Sequence, residues 1–203
     1  MIQLGLKVVE GSPEKGRVVP LPPAGRLRLG RHPRERGIDL QLTVRNVHRH
    51  HAEVYRDSSG LWVQSLTSEH NRTLVNGVPV LDSPVRFEPC GWLQLADVVL
   101  RVVWLGPIDP AWLAWNEGTV LRLAQELRAR GPTGPRGSTR AFGVLHDALL
   151  DAGCHEELIL DHCRGLCPSP ADCTLLPLLA GEEWGSGALG ASVPSPPGAP
   201  GRP

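Results

Sequence analysis

The strongest constraint on the fold is a series of short alternating segments between residues 1 and 105. Apolar side chains recur at every second position in runs such as Leu4–Val8 and Leu27–Leu29, as expected for strands with one buried face. Turn residues separate these runs at intervals of about 8–12 residues, and Asn76-Gly77 is the strongest hairpin signal. No helical stripe occurs here. About ten or eleven short strands so spaced predict an all-β sandwich.

The pattern changes at Gly106, after which helical signals replace strand signals. Asp109 followed by Pro110 is typical of a helix start, because Asp caps the first turn and proline fits the first helical position. Apolar residues at i, i+3, i+4 and i+7 then predict a helix that ends at Gly131, a second that ends at Gly153, and a short third over about 156–164. The stripes are Val120, Leu123, Ala124 and Leu127, then Phe142, Leu145, Leu149 and Ala152.

The chain is therefore predicted to have three parts. Residues 1–105 form the sandwich, and 106–184 form a small all-α region. Residues 185–203 are rich in Gly, Ala, Ser and Pro, and are predicted to be a disordered tail because they offer too little apolar surface to fold.

Charge and cysteine content restrict the function classes. The 21 basic and 21 acidic residues balance, so neither nucleic acid nor a membrane is an expected partner. Residues 1–105 hold 14 Lys/Arg and 10 Asp/Glu, a local charge of +4 that allows an anion site. No targeting segment or membrane-length apolar run is visible, and an odd number of cysteines, five, fits a reduced protein. A cytoplasmic location is expected, while the oligomeric state is not predicted.

Polar segments in the β half follow a recognisable order: Gly30-Arg31, His48-Arg49-His50-His51-Ala52, the loop from Ser68 to Gly77, and Ala96-Asp97-Val98-Val99. Over about residues 2–104 they resemble the distributed signature of the forkhead-associated (FHA) domain, a β-sandwich that binds phosphothreonine. Three departures lie in the loops. His48 stands where the family has serine, Arg72 stands where it has glycine, and one extra residue precedes Asn71.

The resemblance implies a site for a phosphorylated peptide or protein. Arg31 would bind the phosphate, because a guanidinium presents a planar fork of donors. Asn71 would hydrogen-bond the peptide main chain, and Asn76 would support its loop and also contact the ligand. His48 would replace the serine hydroxyl, and its protonated form would be a charged donor, so that binding strengthens below about pH 6.5. The full set of expected ligand contacts is Arg31, His48, Arg49, Asn71, Arg72 and Asn76, with Arg72 either a second phosphate contact or a solvated charge.

Three further residues are expected to be structural within these loops: Gly30, His51 and Gly77. His51 matches the family histidine that braces the loops from beneath, and Gly77 completes the hairpin turn. The histidines at 48, 50 and 51 are not expected to bind a metal, because adjacent strand positions face opposite sides and no Cys or carboxylate is close in sequence.

The helical part resembles, over about residues 110–181, a helical tail found on many planctomycete bacterial proteins, which has no assigned activity. Cys163-x3-Cys167 lies within zinc-ligand spacing, with Cys173 and Cys154 or His162 as possible partners. Small thiols also pack well in a helical core, and that interpretation is favoured. No metal is therefore predicted.

No catalytic or nucleotide-binding motif occurs in the sequence, so neither an enzyme nor a cofactor is predicted. The expected function is a phosphothreonine-binding adaptor in bacterial signalling linked to Ser/Thr kinases. The alternative is an FHA-like scaffold that has lost phosphate binding and makes phospho-independent protein contacts.

Overall fold

The computed structural model describes residues 3–31, 37–67, 72–129, 135–167 and 170–182. The described part contains eleven strands followed by four α-helices, in agreement with the predicted all-β sandwich and small helical region. The predicted disordered tail, 185–203, lies outside the described residues. The strands are β1 (Gln3–Glu10), β2 (Val18–Pro20), β3 (Arg26–Gly30), β4 (Leu40–Gln41), β5 (Ala52–Asp57), β6 (Gly60–Ser65), β7 (Thr73–Val75), β8 (Val78–Pro79), β9 (Val85–Arg86), β10 (Trp92–Leu95) and β11 (Val98–Leu105).

The strands form two sheets that pack face to face. The larger has the order β2-β1-β11-β10-β7-β8, and the smaller has the order β4-β3-β5-β6-β9. All pairs are antiparallel except β3 with β4. Alternate residues of the central strands face inward and are buried, which is why the sequence alternates with a period of two.

The pairing of β1 with β11 shows which segments lie at each end of the sandwich. Gln3 pairs with Leu105 at one end, and Glu10 pairs with Val99 at the other. The β10–β11 turn therefore lies at the end opposite to the point where the chain leaves the sandwich. Gly11 packs tightly against this turn, because a Cβ added there would lie 1.8 Å from the carbonyl oxygen of Asp97.

The helical region consists of α1 (Pro110–Ala129), α2 (Pro135–Asp151), α3 (Glu157–Asp161) and α4 (Leu176–Leu179), with a π-helical turn at His162–Leu166 and a 3-10 turn at Pro170–Asp172. The predicted start of α1 is confirmed, since the Asp109 carboxylate accepts the Ala111 N–H at 2.9 Å. The stripes are also confirmed: Val120, Ala124, Leu127, Phe142, Leu145 and Leu149 are buried, while Leu123 and Ala152 are partly buried against the same core. The third predicted helix, at 156–164, is instead a short α-helix that passes into the π-helical turn.

Helix α1 is interrupted, which the periodicity did not reveal. Trp115 is extended, and Asn116, Glu117 and Gly118 all have positive φ values of 46–80°. Consecutive left-handed residues cannot continue a right-handed helix. The hydroxyl of Thr119 donates to the Asn116 carbonyl at 2.7 Å where the helix resumes.

The helical region packs against the sandwich, and the two share one continuous buried cluster. Trp104 at the end of β11 is fully buried, and its ring lies 5.7 Å from the ring of His162. None of the helices in the described residues is long and apolar enough to cross a bilayer.

Candidate functional site

Arg31 directly follows β3, an inner strand of the smaller sheet. Its backbone N–H donates to the carbonyl oxygen of His48 at 2.9 Å, which joins two of the three predicted loops. The Nε of Arg31 is buried and has no hydrogen-bond partner among the residues that the structure describes. A buried guanidinium donor without an acceptor is unfavourable unless a ligand supplies one.

Gly30 is the point at which the loop carrying His48 and Arg49 approaches β3. A Cβ added to Gly30 would lie 1.9 Å from the carbonyl oxygen of Arg49, far inside the contact distance. The Gly30 carbonyl also accepts the N–H of Leu42 at 2.8 Å. Glycine is required here because of this close backbone approach, and not because of its φ angle.

His51 lies beneath the loop and is fully buried. Its Nδ1 accepts the backbone N–H of His48 at 3.0 Å, and its backbone N–H donates to the carbonyl oxygen of Leu29 at 2.8 Å. Burial lowers the pKa of His51 to about 4; the nearby backbone of Arg72 partly opposes this effect, and the nearby His48 increases it. A neutral ring in these contacts fits the bracing role expected for His51.

This low pKa predicts a pH-dependent stability. Between pH 6.5 and about 4 the unfolded chain carries a proton on residue 51 that the folded chain does not, so stability must fall as the pH decreases through that window. From pH 7 to pH 4.5, we expect His51 to account for a loss of about 2 kcal/mol in the free energy of unfolding. His51→Asn keeps an acceptor near the Nδ1 position but does not titrate, so urea unfolding of this variant should show a correspondingly smaller loss. The exposed His155, replaced in the same way, is the control, and an unchanged pH dependence in His51→Asn would contradict the assignment.

His48 and Arg49 are both exposed at the tip of this loop. The Nδ1 of His48 lies 3.1 Å from the carbonyl oxygen of His50, and a carbonyl can only accept, so Nδ1 carries the proton. In the neutral ring, Nε2 is then an acceptor and offers no N–H to an anion. Protonation turns it into a charged donor.

The third loop is only partly described, since residues 68–71, including Asn71, lie outside the described residues. Arg72 is exposed, and its carbonyl oxygen accepts the N–H of Ala96 at 3.0 Å. The predicted hairpin at Asn76-Gly77 is confirmed: both residues have positive φ, 49° and 83°, between paired Val75 and Val78.

Asn76 is engaged within the protein by two hydrogen bonds to one residue. Its Oδ1 accepts the N–H of Trp92 at 2.9 Å, and its backbone N–H donates to the Trp92 carbonyl at 3.0 Å. These bonds fix the hairpin against β10. Its contact with a ligand stays a prediction.

Two loop anchors were missed by the sequence analysis. The side-chain amide of Asn46 donates to Asp97 at 2.7 Å, and the Thr43 hydroxyl donates to Glu14 at 2.6 Å. Both tie the His48 loop to segments distant in sequence. The Gly-Asp-like element at Ala96-Asp97 was the available signal, but its partner Asn46 has no distinguishing spacing.

The structure thus brings Arg31, His48 and Arg49 together at one end of the sandwich, next to the loop that carries Arg72. Among the described residues, the one cluster of potential metal ligands lies elsewhere, in the buried contact with the helical region.

Comparison with known proteins identifies the sandwich. The family model of the FHA domain matches residues 27–94, which include Gly30-Arg31, the His48 loop and the Asn76-Gly77 hairpin. The match covers 68 of the 203 residues, and over this range the β-sandwich is FHA-like. Comparison with curated proteins finds no match. The resemblance of the helical region to planctomycete tails stays a prediction.

Several solved structures are similar to the sandwich. The FHA domain of an Arabidopsis thaliana hypothetical protein has 22% identity and a TM-score of 0.46, covering 53% of this chain and 89% of that one. The FHA domain of the CT664 protein from Chlamydia trachomatis has 20% identity and a TM-score of 0.43, covering 50% and 96%. The MEK1 FHA domain, in complex with a phosphothreonine peptide of HOP1, has 19% identity and a TM-score of 0.40, covering 49% and 94%.

Proposed function

We propose that this protein is an adaptor that binds phosphothreonine peptides through the loops around Arg31, in signalling by bacterial Ser/Thr kinases. The observation that carries the proposal is the Arg31 side chain, whose buried Nε has no acceptor among the described residues and which lies beside the loop bearing His48 and Arg49. A phosphate dianion supplies the missing acceptor and the opposite charge. Asn71 and Arg72 extend the site along the peptide, and the proposed location is the cytoplasm.

Calorimetry tests this proposal directly. Peptide libraries containing phosphothreonine are compared with the same sequences unphosphorylated and with phosphoserine. We expect binding that depends on the phosphate and is stronger for phosphothreonine. Equal affinity for phosphorylated and unphosphorylated peptides would reject it.

A second candidate function is a phospho-independent scaffold, and the His48 ring favours it. With Nδ1–H directed at the His50 carbonyl, the neutral ring presents a lone pair where a phosphate donor is needed. Under this alternative the sandwich binds its partners whether or not they are phosphorylated.

Substitution of His48 separates the two candidates. If the native site binds phosphate, the wild-type chain should bind phosphothreonine peptides, and His48→Ser should bind them with similar or higher affinity, because a serine hydroxyl is always able to donate a hydrogen bond. Binding that arises only in His48→Ser would favour the scaffold.

A further inference from the structure

A buried group of Cys90, His162 and Cys173 joins the sandwich to the helical region. Their potential ligand atoms all lie within 4.8 Å of one another. The Nε2 of His162 is 3.7 Å from the Sγ of Cys90 and 3.3 Å from the Sγ of Cys173. Cys90 lies 72 residues before His162 in the chain, so folding and not local spacing assembles the group.

Cys167 supplies a fourth candidate ligand. Its thiol is close enough to influence the pKa of both the Cys90 and the Cys173 thiol, although it is not one of the group whose ligand atoms all lie within 4.8 Å of one another. Three sulfurs and one imidazole nitrogen form the Cys₃His set that is common in structural zinc sites. Soft thiolates favour zinc over the hard cations magnesium and calcium.

The spacing of the atoms fits a tetrahedral ion. Zn–S bonds of about 2.3 Å and Zn–N bonds of about 2.0–2.1 Å place sulfur and nitrogen ligands about 3.6 Å apart across a tetrahedron. The two sulfur–nitrogen distances, 3.7 and 3.3 Å, lie close to that value. These two distances suit one ion held between His162, Cys90 and Cys173, and Cys167 must approach to complete the tetrahedron.

The backbone of Cys90 has a conformation that is unusual for a residue other than glycine. The Gly91 N–H donates to the Glu88 carbonyl at 2.9 Å, which closes a turn with Pro89 and Cys90 at its centre. Cys90 has a φ of 68°, at a turn position that glycine normally occupies. A non-glycine residue held there carries strain of a kind that clusters at functional positions.

The surroundings orient two of the ligands. The backbone N–H of Thr174 donates to the Sγ of Cys90 at 3.1 Å, an interaction suited to a thiolate. The His162 ring is held edge-on by Trp104 and Phe142, with centroid distances of 5.7 and 6.1 Å. The nitrogen that faces the sulfurs is Nε2, so Nε2 is the coordinating atom. The buried Nδ1 has no hydrogen-bond partner in the described part of the chain.

We propose that Cys90, His162, Cys167 and Cys173 bind one structural zinc ion that fastens the helical region to the sandwich. All four positions of the ion are then filled by protein, and the site is a closed structural one. The ion closes a loop of more than 70 residues between Cys90 and His162, and its binding energy adds to the stability of the folded chain.

This ligand set differs from the one that the sequence suggested. Cys154, Cys163 and Cys167 are all described but lie outside the group within 4.8 Å. Of these three only Cys167 has a side chain that interacts with both Cys90 and Cys173, so it and not Cys163 is the fourth ligand. Cys90 could not be included because it lies in the β half. The favoured sequence interpretation, thiols that only pack in a helical core, does not explain why a sandwich cysteine and a histidine meet them.

Metal analysis of the purified full chain tests the proposal. Mass spectrometry of the elements should find about one zinc per chain, since structural sites retain the ion through purification. Cys90→Ser should lower the content to below about 0.2 per chain, whereas Cys154→Ser, the same change at a buried cysteine outside the group, should keep about one. If Cys90→Ser does not fold, the wild-type chain alone tests the proposal. After its metal is removed with a chelator and Co²⁺ is added, the wild-type chain should show the intense visible bands of tetrahedral cobalt and a thiolate charge-transfer band.

Three results would overturn the proposal. The first is a wild-type chain that contains no zinc and takes up no tetrahedral cobalt. The second is an equal loss of zinc in Cys90→Ser and Cys154→Ser. The third is a disulfide between Cys90 and Cys173 in freshly purified, alkylated protein.

Discussion

Replacing Arg31 by alanine is expected to weaken binding of a phosphothreonine peptide by about 10- to 100-fold. A hydrogen bond that involves a charged group contributes about 1.5–3 kcal/mol, and each 1.4 kcal/mol is a factor of ten in the dissociation constant. The Arg31 main chain is fixed to His48, and its Nε is already removed from water, so little ordering remains to be done on binding. Titration calorimetry with one phosphothreonine peptide measures the change.

Two matched variants make this measurement specific. Arg31→Lys keeps the charge but loses the planar fork, so its affinity should lie between those of the wild type and Arg31→Ala. Arg56→Ala removes an exposed arginine at the far end of β5, next to the hairpin turn, and should leave the affinity unchanged. A wild-type affinity in Arg31→Ala would remove Arg31 from the phosphate site.

Replacing Gly30 by alanine is expected to damage both stability and binding. The added Cβ would lie 1.9 Å from the Arg49 carbonyl oxygen, so the His48 loop must move away from β3. We expect the free energy of unfolding to fall by about 1–3 kcal/mol, the usual cost of forcing a methyl group into a packed site. Phosphopeptide affinity should fall as well, because the displaced loop no longer holds His48 beside Arg31. Urea unfolding and calorimetry on the same preparation measure the two effects.

Gly143 provides the matched control for this substitution. It lies inside α2, and a Cβ added there would meet no atom within 4 Å. Gly143→Ala should therefore increase stability by about 0.5–1 kcal/mol, the helix propensity gain, and leave binding unchanged. If Gly30→Ala were as stable as Gly143→Ala, the close approach at Gly30 would not constrain the loop.

Local patterns predicted the parts of the fold that depend on local chemistry. The alternation of Leu4, Leu6 and Val8 reflects a strand with one buried face, and Asn76-Gly77 reflects a turn with two positive φ angles. The helical stripes were predicted equally well, because their apolar residues recur with the period of an α-helix. The break at Asn116–Gly118 was not, since Asn116 and Gly118 tolerate a left-handed conformation but do not require one, and Glu117 gives no signal of it.

The contacts that build the two sites follow from packing and not from spacing. The pairing of Asn46 with Asp97 and the group of Cys90, His162 and Cys173 each join distant parts of the chain. The sequence did indicate Asp97, His162 and Cys173, but nothing in the residues next to Asn46 and Cys90 distinguishes these two partners from ordinary surface or core positions. The FHA resemblance could indicate Arg31 and His51, because both belong to sequence motifs. It could not indicate that the buried Nε of Arg31 has no acceptor among the described residues.

Strand β11 separates the proposed peptide site from the helical region. The strand begins at Val98, next to the turn that anchors the His48 loop, and ends at Leu105, where the chain enters the helical region. Eight residues of strand separate these ends by about 23 Å. A peptide held at one pole therefore does not compete for space with the helices at the other. If the proposed function holds, a bound phosphopeptide and the helical region lie at opposite ends of the sandwich, so the helices do not have to move for the peptide to bind.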